Sequence, residues 1–328
     1  MRKNNILCST SFWEKFRNDR ETLSRALTID EITNYQCWIN YFLMINHSSI
    51  NFEFDEQYLI DSNDELLSQL WHAVASGIRP KDALKFSTEI ENAYNDGDNT
   101  DSPLNSLYLS SKNIMSHHGI ISLSESDYLS KRMLFKDSGP ALKKRNKSSW
   151  SELLSIAKHN FNAMIVVDNY IFSDKTEVNL TQIFETLLPI ELDVPFHLTI
   201  VTSKEKIWSD SDLSKKRETV VSTIQRIRPI LAKNIVIEVF AVDKSEIHDR
   251  TILTNYMWIG SGGGFDILRK NNTTRQTEST KSTKLTAVYP MFIEDPEWEK
   301  AYHHLIEDIK KALRVIGKCS ENRLFKED

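Results

Sequence analysis

The residues of this chain that could perform chemistry are concentrated between positions 248 and 266. His248, Asp249 and Arg250 stand at the start of a predicted strand, and a glycine-rich run from Gly260 to Gly264 follows. Side chains alternate along a strand, so His248 and Arg250 are predicted to point to the same side of the sheet. A guanidinium grips an anion through paired hydrogen bonds, and an imidazole donates a further one or attacks as a nucleophile. A glycine turn leaves backbone N–H groups open to phosphate or carboxylate. This pattern therefore predicts an anion site.

A structural interpretation of the same residues also stands. A His-Asp-Arg run at a strand start can form an internal polar network, and the sequence GSGGG can be a flexible hairpin. Asp168 interrupts the apolar run from Ala163 to Phe172, and a buried carboxylate needs a partner. Arg250 is predicted to be that partner, which makes Asp168 a member of a structural pair or a wall of the site instead of a catalytic acid.

The spacing also resembles a known signature, that of the phospholipase D superfamily: His-x-Lys-x4-Asp followed by a Gly-Ser turn. The matching positions are His248, Arg250 and Asn255, then Gly260-Ser261, so arginine replaces the lysine and asparagine replaces the aspartate. The His-Asp-Arg run is similar to a degenerate branch of the superfamily, the phospholipase-D-like domain that follows an MIT domain. This resemblance covers residues 148–328 and implies a phospholipase-D-like sheet flanked by helices.

The departures from the signature bear on catalysis. In the active superfamily two motifs meet, and one histidine forms the phospho-enzyme while the other protonates the leaving group. This chain has one motif, and the corresponding stretch from Val167 to Tyr170 contains no histidine. The resemblance therefore implies recognition of a phosphate-bearing ligand, such as nucleic acid or a lipid headgroup, without turnover. The expected anion-binding residues are His248, Arg250, Asn255, Gly260, Ser261, Gly262 and Gly263, supported by Asp168 and Asp249.

Two alternatives remain open from the sequence. The first is a phosphodiesterase or nuclease in which a homodimer brings together His248 from two chains. The second is a structural interaction subunit without a ligand site. An accessory role in a prokaryotic assembly, such as anti-phage defence, is compatible with a phosphate-recognising cytosolic protein of two modules.

A change of pattern near position 140 divides the chain into two predicted domains. Residues 138–147 contain Gly139, Pro140 and a basic run, which predicts a linker. The pattern of residues 1–137 predicts a mixed α/β, helix-rich domain that binds a protein partner or has a regulatory role. Residues 148–328 alternate strands with helices, which is typical of an α/β sheet. The predicted strands span residues 163–172, 195–201, 235–242, 250–259 and 285–293, and the predicted helices begin near Trp150, Asn179, Asp210 and Asp295.

Composition excludes several classes of protein. The chain has 328 residues, a net charge of −5, 40% hydrophobic and 27% charged residues, as in an ordinary globular protein. Its longest apolar stretches have the length of strands, so neither a transmembrane helix nor a signal peptide is expected. The three cysteines lie far apart, which argues against a disulfide framework or a cysteine zinc site and suits a reducing cytosol. We therefore expect a cytoplasmic protein without a metal or cofactor.

The charge distribution predicts that any contact with a polyanion is confined to a local part of the surface. Mild overall acidity argues against a surface that grips nucleic acid everywhere. The segment from Arg269 to Lys284 is basic and lacks apolar residues. It is predicted to be either a mobile hairpin loop or a clamp that closes over an anion beside His248.

Overall fold

The computed structural model divides the chain into two compact units: residues 1–116 with 120–136, and residues 117–119 with 137–328. The structure describes residues 5–8, 12, 15–16, 18–19, 28–29, 31–33, 35–36, 49–52, 106–109, 118–119, 121–124, 128–129, 142–143, 150–154, 160–172, 177–207, 209–247, 250–261, 265, 268–270, 277–279, 287–292 and 296–325.

The first unit contains a four-stranded sheet in which all neighbouring strands are parallel. Its strands are β1 (Asn5–Cys8), β2 (Ser49–Phe52), β3 (Ser106–Leu109) and β4 (Ile121–Leu123), in the order β2-β1-β3-β4. Parallel strands need connections that cross over a face of the sheet, which is why short apolar strands are separated here by long stretches of chain.

A buried aromatic cluster forms part of the core of this first unit. Phe12, Phe16, Tyr35 and Tyr128 are each at most 1% exposed, and the rings of Phe16 and Tyr35 are stacked with centroids 4.7 Å apart. The Tyr128 hydroxyl donates a hydrogen bond to the buried carboxylate of Asp19. Burial, followed by this bond to Asp19, raises the pKa of Tyr128.

The second unit is built on a seven-stranded mixed sheet in the order β5-β13-β10-β9-β6-β7-β8. Its strands are β5 (Leu142–Lys143), β6 (Ala163–Val167), β7 (Phe196–Ser203), β8 (Ile235–Val242), β9 (Thr251–Thr254), β10 (Met257–Ser261) and β13 (Ala287–Phe292), while β11 (Leu268–Lys270) and β12 (Thr277–Ser279) form a separate two-stranded ribbon. Its helices are α1 (Trp150–Leu154), α2 (Glu177–Leu187), α3 (Asp210–Ile227) and α4 (Pro296–Val315), with short 3-10 turns at Lys204–Lys206, Leu231–Asn234, Lys244–Glu246 and Arg323–Phe325. The predicted α/β class is confirmed.

The pairing within this sheet brings several strand ends to one edge. Strands β6, β7 and β8 are parallel, so their carboxyl ends lie together. Strand β9 runs antiparallel to β6, with Val167 opposite Thr251, so the beginning of β9 reaches the same edge. We call this the carboxyl edge. It comprises Asp168–Tyr170 after β6, Lys204–Lys206 after β7, Asp243–Glu246 after β8, and Arg250 before β9. In open α/β sheets, ligands bind at such edges.

Two predicted strands are shorter in the structure than in the sequence pattern. The run 163–172 ends as a strand at Val167, because the Asp168 carboxylate accepts the backbone N–H of Tyr170 at 2.8 Å and turns the chain. The run 250–259 is a hairpin of β9 and β10 that reverses at Asn255 and Tyr256.

Two residues of the predicted linker segment form a strand. Residues 142 and 143, within the segment 138–147, form β5 and pair with Ala287 and Val288 of β13. An apolar leucine followed by a lysine suits a short edge strand, so part of this basic segment belongs to the sheet of the second unit.

A closing segment, residues 320–325, packs against the early strands of the sheet. The two N–H groups of the Asn322 amide share three acceptors, the carbonyls of Met164 (3.0 Å) and His197 (3.3 Å) and the Thr199 hydroxyl (3.1 Å). Asn322 is 1% exposed. Buried amides need such partners, and these three bonds fix the closing segment to β6 and β7.

Candidate anion site at the carboxyl edge

The central charges of the carboxyl edge are Asp168 and Arg250, which the sequence analysis predicted to pair. Arg250 Nε lies 3.9 Å from Asp168 Oδ1, and their side chains are 23% and 2% exposed. At this distance the contact is charge pairing and not a hydrogen bond. The predicted pairing of these two residues is confirmed.

The Asp168 carboxylate is held in place by backbone donors as well as by Arg250. Its Oδ1 accepts the N–H of Tyr170 at 2.8 Å, and its Oδ2 accepts the N–H of Phe265 at 3.4 Å. The loop at Phe265 follows β10, so one carboxylate connects the ends of two strands. A buried anion with these bonds is a fixed counter-charge that attracts the guanidinium.

Tyr170 lies close to two cations, Arg250 and Lys244. The guanidinium Cζ of Arg250 lies 5.5 Å from the centroid of the Tyr170 ring, and Lys244 Nζ lies 5.7 Å from the same centroid. Cations at this distance over an aromatic face are attracted by its electron density. Two positive side chains from different strand ends therefore converge on one half-buried ring.

Two further ion pairs cross between the turns that follow β7 and β8. Lys204 Nζ lies 3.3 Å from an Asp243 oxygen, and Lys244 Nζ lies 3.5 Å from a Glu205 oxygen. All four side chains are about half exposed, so each pair contributes little to stability. The hydrogen bond to Tyr170, followed by the charge of Glu205, raises the pKa of Lys244. Lys244 is therefore fully protonated at neutral pH.

The backbone that leads into β9 is anchored to the end of β6. The Asn169 amide donates a hydrogen bond to the carbonyl of Ile247 at 3.3 Å, and Asn169 is 5% exposed. This bond fixes the chain immediately before positions 248 and 249. His248 and Asp249 themselves lie outside the described residues, as do Gly262 and Gly263.

Asn255, placed in the anion site by the superfamily resemblance, lies at the other end of β9. Its Oδ1 accepts the backbone N–H groups of Asn162 and Ala163 at 3.0 Å each, and its amide donates to Asn162 Oδ1 at 3.0 Å. Asn255 is 0% exposed. The four residues of β9 separate it from Arg250, so the structure does not bring the two together.

Two residues of the predicted glycine turn lie in a strand instead. Gly260 and Ser261 belong to β10, where Gly260 is paired with Thr251 on one side and Tyr289 on the other. A Cβ on Gly260 would lie 3.2 Å from the Trp258 indole. The absence of a side chain at Gly260 therefore leaves room for Trp258, which is a packing role within the sheet.

Lys244 was not predicted from the sequence to lie at this edge, and Asn169 and Tyr170 were noted only within the stretch that lacks a second histidine. The available signal was positional: each follows a run of apolar residues that ends a parallel strand. Among the residues that the structure describes, no three His, Cys, Asp or Glu side chains come together as a metal site requires.

Comparison with known proteins adds no assignment, because no family model and no curated protein matches this chain. Of the helices described in the structure, none is long and apolar enough to cross a bilayer.

Proposed function

We propose that the carboxyl edge of the second unit binds a phosphate-bearing anion without turning it over. The observation that carries this proposal is the setting of Arg250. Its side chain is 23% exposed, and its guanidinium is paired with a carboxylate that is 2% exposed. A guanidinium has five N–H donors in a planar fork, which suits the oxygens of a phosphate.

The surroundings of Arg250 support binding over catalysis. Tyr170 and Lys244 supply an aromatic support and a second positive charge. The sequence contains one His-x-Arg motif, and the stretch after β6 offers Asp168, Asn169 and Tyr170 where an active superfamily member would place a second histidine. The phospholipase-D-like character of the fold is part of this proposal, and its support is the motif at His248 together with the mixed sheet.

The test is titration of inorganic phosphate into the protein by isothermal titration calorimetry. Losing one charge-assisted contact costs about 1.5–3 kcal/mol, so Arg250→Ala should weaken binding roughly 10- to 150-fold. Arg250→Lys keeps the charge and should bind with intermediate affinity. Arg314→Ala removes an exposed arginine from α4 and serves as the control, with unchanged binding.

Thermal melting of the same variants separates the structural alternative. If Arg250→Ala melts earlier yet binds phosphate like the unaltered protein, Arg250 serves the fold and the proposal is wrong. If Arg250→Ala does not fold, the comparison of Arg250→Lys with the unaltered protein decides, since only a ligand contact makes binding depend on the guanidinium fork.

A further inference from the structure

We infer that the carboxyl edge is selective for ligands with two linked phosphoryl groups, Arg250 holding one and Lys244 the other. This inference rests on the proposed function and names the class of ligand at the same site. It assigns a binding role to Lys244, which lies six residues before Arg250 and on a different turn.

The first support is the spacing of the two cations. Arg250 Cζ and Lys244 Nζ lie 5.5 Å and 5.7 Å from the centroid of the same Tyr170 ring. Their separation therefore cannot exceed the sum of these two distances. The spacing of adjacent phosphoryl groups, joined either directly in a diphosphate or through one sugar in a nucleic acid strand, lies within this limit.

The second support is the neutralisation of each cation by an acidic partner. Asp168 faces Arg250, and Glu205 lies 3.5 Å from Lys244. A ligand with a single anionic group must compete with a carboxylate that is already in place, and it gains only one cation. A ligand with two linked groups contacts both cations, but the entropic cost of immobilising it is paid only once.

The third support is that Lys244 can exchange its partner at low cost. The side chains of Lys244 and Glu205 are 46% and 53% exposed, and an exposed ion pair is weak because water screens it. Asp168, in contrast, is buried and fixed by two backbone N–H groups, so it stays in place as the anchor of Arg250.

The test compares inorganic phosphate, pyrophosphate and a dinucleotide with two phosphates by isothermal titration calorimetry. We expect the unaltered protein to bind pyrophosphate about tenfold or more tightly than phosphate. Lys244→Ala should abolish most of this preference, because it should weaken the binding of pyrophosphate much more than the binding of phosphate. Glu205→Gln removes the competing carboxylate and should tighten pyrophosphate binding.

Lys204→Ala is the matched control. Lys204 lies in the turn after β7, is about as exposed as Lys244 and is likewise paired with an acidic residue, Asp243. This variant removes the same charge as Lys244→Ala, so a general effect of net charge would weaken pyrophosphate binding equally in both variants. We expect the preference to survive in Lys204→Ala.

The outcomes distinguish this inference from the proposal beneath it. Equal affinities for phosphate and pyrophosphate, or an equal loss in Lys204→Ala and Lys244→Ala, would overturn the two-group inference while phosphate binding stands. Absence of binding by every probe would reject the proposed function itself. Tighter binding of the dinucleotide than of pyrophosphate would identify a nucleic acid strand as the source of the two groups, and the reverse would identify a diphosphate.

Discussion

Replacing Asn255 by alanine tests whether this residue belongs to the fold or to the anion site. The carboxamide of Asn255 makes three hydrogen bonds of 3.0 Å, two of them from the backbone N–H groups of Asn162 and Ala163. All three residues are 0% exposed. Asn255→Ala would therefore leave two buried N–H groups without their acceptor.

The expected loss follows from these contacts. An unsatisfied buried donor costs about 1–3 kcal/mol, and some relaxation at the site reduces the sum, so we expect a loss of about 3 kcal/mol. With a urea dependence of about 2 kcal/mol per molar, the unfolding midpoint should fall by about 1.5 M. Phosphate affinity at the carboxyl edge should not change.

Gln225→Ala provides the control, since it removes a carboxamide from an exposed position of α3 where alanine is at least as favourable. Its midpoint should stay close to that of the unaltered protein. If Asn255→Ala keeps its urea midpoint but loses phosphate binding, our placement of Asn255 in the fold is wrong and the superfamily resemblance located it correctly.

Two further predictions concern stability. Gly119→Ala should lower the free energy of unfolding by about 3 kcal/mol, because φ is +72° and the new Cβ would lie 2.7 Å from the Asn162 Cβ. Gly317→Ala should lower it by about 1 kcal/mol, because φ is +69° but nothing lies within 4 Å of the new Cβ. Equal urea midpoints for the two variants would contradict this. Since burial and Asp19 raise the pKa of Tyr128 above 10.0, its contribution to stability is complete below that pH and is lost as the pH rises further. Above about pH 10 the urea midpoint of the first unit should therefore fall more in the unaltered protein than in Tyr128→Phe, and parallel profiles would show that this hydroxyl is not responsible.

The long helices of the second unit were predictable from sequence because their apolar residues repeat at helical spacing. Helix α4 begins at Pro296, as the Asp-Pro-Glu start predicts, and Tyr302, Ile309 and Leu313 face the core. The α/β class of the second unit was predictable from the alternation of strands and helices. Helices and the order of strands and helices depend on the pattern of residues that are close in sequence, and this pattern can be read from a single sequence.

Strand ends and turns were less predictable, because polar contacts with distant residues decide them. Asp168 ends β6 through bonds to Tyr170 and Phe265, and the latter is 97 residues away. Asn179, expected to begin α2, lies inside that helix and accepts the indole N–H of Trp150 at 2.9 Å instead. Apolar periodicity carries no information about either contact.

In the candidate site, too, some features were predictable from the sequence and others were not. The pairing of Arg250 with Asp168 was predictable, because a charge within an apolar strand requires a counter-charge. The positions of Lys244 and Tyr170 depend on the order of β6, β7 and β8 in the sheet, which fixes the strand ends that become neighbours. Sequence spacing does not reveal that order.

The closing segment has a consequence for the synthesis of the second unit. Asn322 bonds to Met164, which the ribosome adds 158 residues earlier, and to His197. Strands β6 and β7 are therefore translated long before their last hydrogen-bond donor exists. In a nascent chain that stops before residue 320, the Met164 and His197 carbonyls would lack the Asn322 amide as a donor. The second unit therefore reaches its native state only after residue 322 has been translated.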